Sequence, residues 1–95
     1  IDVRGGNNTV TSGNGNDTVA AGAGNNTIST SDGADSVTVG GGANTIDLGT
    51  GNDSLVAGDG QNTVTGGAGN DSITVGNGAN VITSGADNDV VTAGN

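Results

Sequence analysis

The chain has 95 residues, 21 of them glycine, and a formal net charge of −9, from ten aspartates against a single cation, Arg4. It contains no Cys, His, Lys, Glu or aromatic residue, which removes disulfide staples, thiolate zinc sites and the usual nucleophiles and general bases, so an enzyme is not expected. There is no basic patch to neutralise phosphate and no apolar run of membrane-spanning length, so neither nucleic acid nor membrane insertion is expected.

The chain opens on Ile1-Asp2-Val3-Arg4, which reads as the tail of a repeat, so residues 1–95 are expected to be one domain excerpted from a longer array. From Ser12 onward the sequence falls into nonapeptides: SGNGNDTVA, AGAGNNTIS, TSDGADSVT, VGGGANTID, LGTGNDSLV, AGDGQNTVT, GGAGNDSIT, VGNGANVIT and SGADNDVVT. Position 8 of the unit is always aliphatic, giving the column Val10, Val19, Ile28, Val37, Ile46, Leu55, Val64, Ile73, Ile82, Val91, with Ile1 in phase before it. Position 7 is Thr or Ser until Val81 and Val90, and position 1 is often apolar, as in Val39, Leu48 and Val75. Alternation of this kind spells a short strand with one face inward. Before each strand lies a Gly-rich segment with Gly at position 4 in every unit but the last, where Asp87 stands; such segments turn the chain by using positive φ. Short strand, turn and short strand without end make an all-β solenoid. With two nonapeptides per coil, about five coils at roughly 4.8 Å spacing give two parallel sheets back to back in a rod roughly 25 Å long.

The unit GGAGNDSIT, Gly66 to Thr74, resembles at every fixed position the nonapeptide of the repeats-in-toxin (RTX) family, G-G-x-G-x-D-x-U-x with U aliphatic. SGNGNDTVA (Ser12 to Ala20) and LGTGNDSLV (Leu48 to Val56) match except at the first glycine. The resemblance implies a right-handed parallel β-roll that binds calcium between successive turns of an edge, through the position-6 Asp and turn carbonyls. It also implies a secreted bacterial protein exported by a type I route. On this reading the chain is a structural module of a surface layer, adhesin or extracellular filament; the alternative is the calcium-dependent tail of a secreted protease, lipase or toxin.

Position 6 reads Asn8, Asp17, Asn26, Asp35, Asn44, Asp53, Asn62, Asp71, Asn80, Asp89, alternating without a miss. Because one coil is two units, all the Asp fall on one edge and all the Asn on the other, whereas the family pattern puts Asp on both. Carboxylates stacked about 4.8 Å apart repel by roughly 3 kcal/mol per pair at an effective dielectric near 20, so the Asp edge calls for cations. Calcium, a hard ion that accepts six to eight oxygens in loose geometry, suits it better than magnesium. The expected ligands are the side chains of Asp17, Asp35, Asp53, Asp71 and Asp89, with the turn carbonyls of Asn14, Gly15, Asp32, Gly33, Thr50, Gly51, Ala68 and Gly69, and Asp32 as an added charge. The small aliphatic core makes folding depend on that metal. For the Asn edge two readings stand open: a metal-free amide ladder, or a weaker second calcium row at Asn26, Asn44 and Asn62, helped locally by Asp59.

Two departures weaken details of the Asp edge: Ser31 replaces the position-2 glycine, and Asp87 the position-4 glycine. Outward Thr residues at Thr9/Thr11, Thr27/Ser29, Thr45/Asp47, Thr63/Thr65 and Val81/Thr83 form two ranks that suggest an ice-binding face as a further alternative. Coil ends without a recognisable polar cap admit flanking repeats, or copies of the chain end to end, as partners.

Overall fold

A computed structural model describes residues 1–95 and contains strands and turns but no helix. One sheet holds six parallel strands, β1 (Asp2–Val3), β3 (Thr18–Ala21), β5 (Ser36–Val39), β7 (Ser54–Ala57), β9 (Ser72–Val75) and β11 (Val90–Ala93), in that spatial order. The other holds five, β2 (Thr9–Thr11), β4 (Thr27–Ser29), β6 (Thr45–Asp47), β8 (Thr63–Ala68) and β10 (Val81–Ala86). The chain alternates between the sheets, and every pairing joins residues 18 apart, as in Val19↔Val37, Ile28↔Ile46 and Leu55↔Ile73. The expected β-solenoid of nonapeptide pairs is therefore the fold.

Two inward positions per nonapeptide make the core. In β5 the burial pattern alternates exposed, buried, exposed, buried, because position 8 (Val37) and the next position 1 (Val39) both face the opposite sheet. The buried cluster runs from Val10 to Val75 and includes Ile28, Ile46, Leu48, Leu55 and Ile73. Thr30 shares this layer at 0% exposure, its hydroxyl satisfied by donating to the Leu48 carbonyl at 2.8 Å. Aliphatics are covered by the coils on either side, so Ile1 and Val91, in the outermost coils, stay 56% and 44% exposed. Both belong to the sequence column, yet neither is core.

The molecule measures 29 × 28 × 12 Å, a slab rather than a rod. Its thin dimension is two sheets about 10 Å apart; its width is two turns plus the strands between them, which at this number of coils equals its length.

Glycine is required at position 4 because of the neighbouring coil. Gly33 has φ 132°, and a Cβ there would overlap the carbonyl of Gly15 in the preceding coil. Asp87, the one exception, adopts φ 82°, and Ser31 adopts φ 78°. Both therefore hold the left-handed conformation of the glycines they replace, at a cost of roughly 1–2 kcal/mol each.

Candidate metal site

The turns entering the six-stranded sheet carry Asp at position 6, and those entering the five-stranded sheet carry Asn. Asp35, Asp53 and Asp71 are each 2% exposed, with Asp17 and Asp89 half-buried at the two ends of the column. Each Asp donates its backbone N–H to Oδ1 of the Asp one coil further on: Asp17 to Asp35 at 2.8 Å, Asp35 to Asp53 at 2.8 Å, Asp53 to Asp71 at 3.0 Å and Asp71 to Asp89 at 2.9 Å. The other oxygen, Oδ2 of Asp17, Asp35, Asp53 and Asp71, is buried and has no hydrogen-bond partner. A buried polar atom without a partner is expensive, and an ionised one more so. Burial pushes the Asp53 carboxyl above the ordinary carboxylate range, with the charges of Asp71 and Asp35 pushing the same way against the hydrogen bond from the Asp35 amide.

The turn carbonyls divide into two groups. Those of Asp32, Thr50 and Ala68 accept the N–H of Gly15, Gly33 and Gly51 at 2.7, 2.8 and 2.8 Å, which occupies one lone pair each. Those of Asn14, Gly15, Gly33, Gly51 and Gly69 accept no hydrogen bond. No three carboxylates gather at one point, so each step of the edge offers two stacked carboxylates and turn carbonyls. These unpartnered anionic and carbonyl oxygens fit a hard cation of irregular coordination. The side chains of Asp32 and Asp59 lie outside the buried column: Asp32 Oδ1 accepts from the Thr50 hydroxyl at 3.0 Å, and Asp59 Oδ1 from the Asn77 amide at 2.7 Å, both exposed. Asp87 Oδ2 accepts from the Gly69 amide at 3.2 Å, also exposed.

On the opposite edge Asn26, Asn44 and Asn62 are almost completely buried, at 1%, 1% and 0% exposure. Four of the five Nδ2 atoms donate to Oδ1 of the Asn one coil on: Asn8 to Asn26 at 3.0 Å, Asn26 to Asn44 at 3.0 Å, Asn44 to Asn62 at 2.9 Å and Asn62 to Asn80 at 3.0 Å. The same Nδ2 turns back to its own turn, so that Asn26 reaches the carbonyls of Gly22 at 3.0 Å and Gly24 at 3.2 Å. The network fixes which end of the amide is nitrogen, since the reverse would set oxygen against carbonyl oxygens.

The two edges also differ in backbone. At position 2 the Asp edge has positive φ (Gly13, Ser31, Gly49, Gly67, Gly85), while Gly22, Gly40, Gly58 and Gly76 of the Asn edge do not. Accordingly the Ser31 and Gly49 carbonyls point along the stack and accept from Thr50 and Ala68 of the next coil, whereas those of Gly22, Gly40, Gly58 and Gly76 turn inward to an Asn amide. A carbonyl oxygen is attracted by an amide NH2 and repelled by a carboxylate, which accounts for both orientations.

Position 5 supplies a ladder that the sequence reading missed. The Oδ1 atoms of Asn16, Asn25, Asn52 and Asn70 accept the backbone N–H of Ala34, Ala43, Asn70 and Asn88 in the next coil at 2.8–3.0 Å. Its signal was present in the "NN" and "ND" pairs, whose first member passes for turn filler until its partner 18 residues on is known. The Thr ranks do lie in register on the outer face of the five-stranded sheet, with Asp47 between Ser29 and Thr65 in one and Val81 ending the other.

A two-sheet parallel solenoid of nonapeptide turns, with a buried carboxylate column along one edge, defines a calcium-repeat β-roll. The profile of the RTX calcium-binding nonapeptide repeat (four copies) matches residues 1–28, 20–55, 29–64, 38–73 and 65–95, and the chain belongs to that family. Neither the curated proteins nor the solved structures gave a match. Membership of that family implies calcium binding by the roll.

Proposed function

We propose that the chain is a structural module whose Asp edge is closed by calcium, so that its folding is completed by the metal. Four buried carboxylate oxygens without a partner carry this reading. Asp17, Asp35, Asp53, Asp71 and Asp89 hold the ions, assisted by the carbonyls of Asn14, Gly15, Gly33, Gly51 and Gly69 and by the remaining lone pairs of Asp32, Thr50 and Ala68. When bound, calcium supplies divalent charge that offsets the stacked carboxylates and bonds to their free oxygens. The chain's own part is to align the carboxylates through the Asp-to-Asp backbone hydrogen bonds and to keep water from the Oδ2 atoms.

The biological setting follows from metal-coupled folding: an acidic chain stays loose where calcium is scarce and sets where it is plentiful. That fits a bacterial protein secreted by a type I route and placed at the cell surface, in a surface layer, adhesin or filament, where further repeats of the chain or copies of it stack on the coil ends. The same module as the tail of a secreted hydrolase or toxin is distinguished by the sequence that flanks it. No helix is long and apolar enough to cross a membrane. Circular dichroism and limited proteolysis in chelator and in calcium test the proposal. Saturable gain of β signal and of protease resistance is expected, and a chain equally structured and equally resistant in chelator overturns it. Thermal hysteresis in calcium buffer tests the ice-binding alternative, which Asp47 and Val81 disfavour.

A further inference from the structure

The Asn edge holds a second kind of oxygen cage. Around the side-chain nitrogens of Asn8, Asn26, Asn44 and Asn62 stand oxygens of their own turn and of the next coil: for Asn44, the carbonyls of Gly40 and Gly42 at 3.1 and 3.4 Å and Oδ1 of Asn62 at 2.9 Å. For Asn8 they are the carbonyls of Arg4 and Gly6 at 2.8 and 3.1 Å and Oδ1 of Asn26 at 3.0 Å. An amide nitrogen at about 3 Å from three oxygens is hydrogen-bonded; calcium in the same place needs them at 2.3–2.6 Å. From Asn26 to Asn80 no position-6 Asn oxygen is left over either: Oδ1 of Asn26 takes both the Nδ2 and the backbone N–H of Asn8, at 3.0 and 3.2 Å, and Oδ1 of Asn80 does the same for Asn62 at 3.0 and 3.1 Å. By contrast with the Asp edge, no buried side-chain atom here lacks a partner.

We propose that the side-chain NH2 of the position-6 Asn takes the place of a cation, making this edge a clamp that excludes calcium and holds the coils in register without it. The proposal extends the calcium reading of the Asp edge. Position 6 then decides, edge by edge, whether a turn is held by metal or by itself, and the chelated chain is not a coil but a roll zipped along one side. Its strands stay stacked through Val10, Ile28, Ile46 and Val64, while the Asp-edge turns are released.

Two measurements on the full chain test this. The first is the side-chain NH2 signals of Asn26, Asn44 and Asn62 by NMR, in chelator and through a calcium titration. The clamp expects them dispersed and protected from hydrogen exchange at least tenfold over a free Asn amide in chelator, and unmoved by calcium, while the backbone amides of Asp35, Asp53 and Asp71 shift. Collapse of the three NH2 signals to free-amide positions in chelator, or their displacement in step with the Asp-edge amides, overturns it. The second is the variant Asn26→Asp/Asn44→Asp/Asn62→Asp, with bound calcium counted by equilibrium dialysis. Loss of the residual β signal in chelator, together with uptake of more calcium than the parent chain, supports the clamp; unchanged chelator signal overturns it. Should the variant stay unfolded in calcium, the NMR comparison on the parent chain decides alone. Failure of the calcium reading looks different: no Asp-edge amide moves at any calcium concentration.

Discussion

Asp53 and Asn44 occupy the same position of the nonapeptide and are equally buried, yet they meet the demands of burial in opposite ways. Asn44 places every polar atom: its nitrogen on three oxygens, its core position without charge. Substituting Asn44→Ala strips the Gly40 and Gly42 carbonyls of their donor, so a loss of about 2–3 kcal/mol is expected; denaturant melts should return the same loss in calcium and in chelator. Asp53, between Asp35 and Asp71, keeps one oxygen unpaired. Replacing it by Asn removes a buried charge and its repulsion from Asp35 and Asp71, so the chelated chain should gain stability, while the calcium midpoint rises at least tenfold because the two steps that share Asp53 lose a carboxylate. Titrations that leave the midpoint unmoved would remove Asp53 from the ligand set. A pH effect follows as well. The carboxyl is pushed upward on folding, so in the window between its ordinary value and the raised one the folded state holds more protons than the unfolded. Stability of the metal-free roll therefore falls as pH rises through that window and is regained on acidification. In chelator, ellipticity should show more β structure near pH 4 than at pH 7, the reverse of ordinary acid unfolding.

At the scale of the turn, neighbouring coils dictate conformation. Ser31 holds φ 78° where Gly13, Gly49, Gly67 and Gly85 stand in other Asp-edge turns. Ser31→Gly should stabilise the calcium-bound chain by up to about 1 kcal/mol, the left-handed penalty less the added freedom of an unfolded glycine. Gly49→Ala should do the opposite and by more, because its Cβ would overlap the Ser31 carbonyl; thermal melts of the pair read both signs. These turns also mark how far the sequence could be read. The aliphatic column and the segregation of Asp17, Asp35, Asp53, Asp71 and Asp89 from the Asn series are properties of period alone, and period is visible in a string of letters. Direction is not: whether the position-2 carbonyl faces inward, as at Gly40, or along the stack, as at Gly49, depends on the charge of a side chain four residues later and on a turn 18 residues away. For the same reason Asn16 and Asn52 could not be told from filler, since their bonds go to Ala34 and Asn70 in the next coil.

The whole molecule combines a neutral edge and an anionic one, joined by strands of three or four residues in most coils. A net charge of −9 is thus not spread evenly; five of the ten Asp stand in one column, and salt screening reaches that column poorly because its middle members are buried. Expansion on removal of calcium should therefore be one-sided. The folded slab has a Cα radius of gyration of 11.6 Å, whereas a fully unfolded chain of this length would reach about 30 Å. Small-angle scattering in calcium should return a value near the folded one, and in chelator a value clearly larger but well short of the unfolded figure, because released Asp-edge turns add reach while the Asn edge keeps the coils together. Magnesium at equal concentration should leave the profile nearer the chelator state, since its tight octahedron and slow dehydration suit a row of flexible turn carbonyls poorly. A chelator profile at the full unfolded dimension would show that the amide edge cannot hold five coils alone. One identical to the calcium profile would show that the carboxylate column tolerates its own charge.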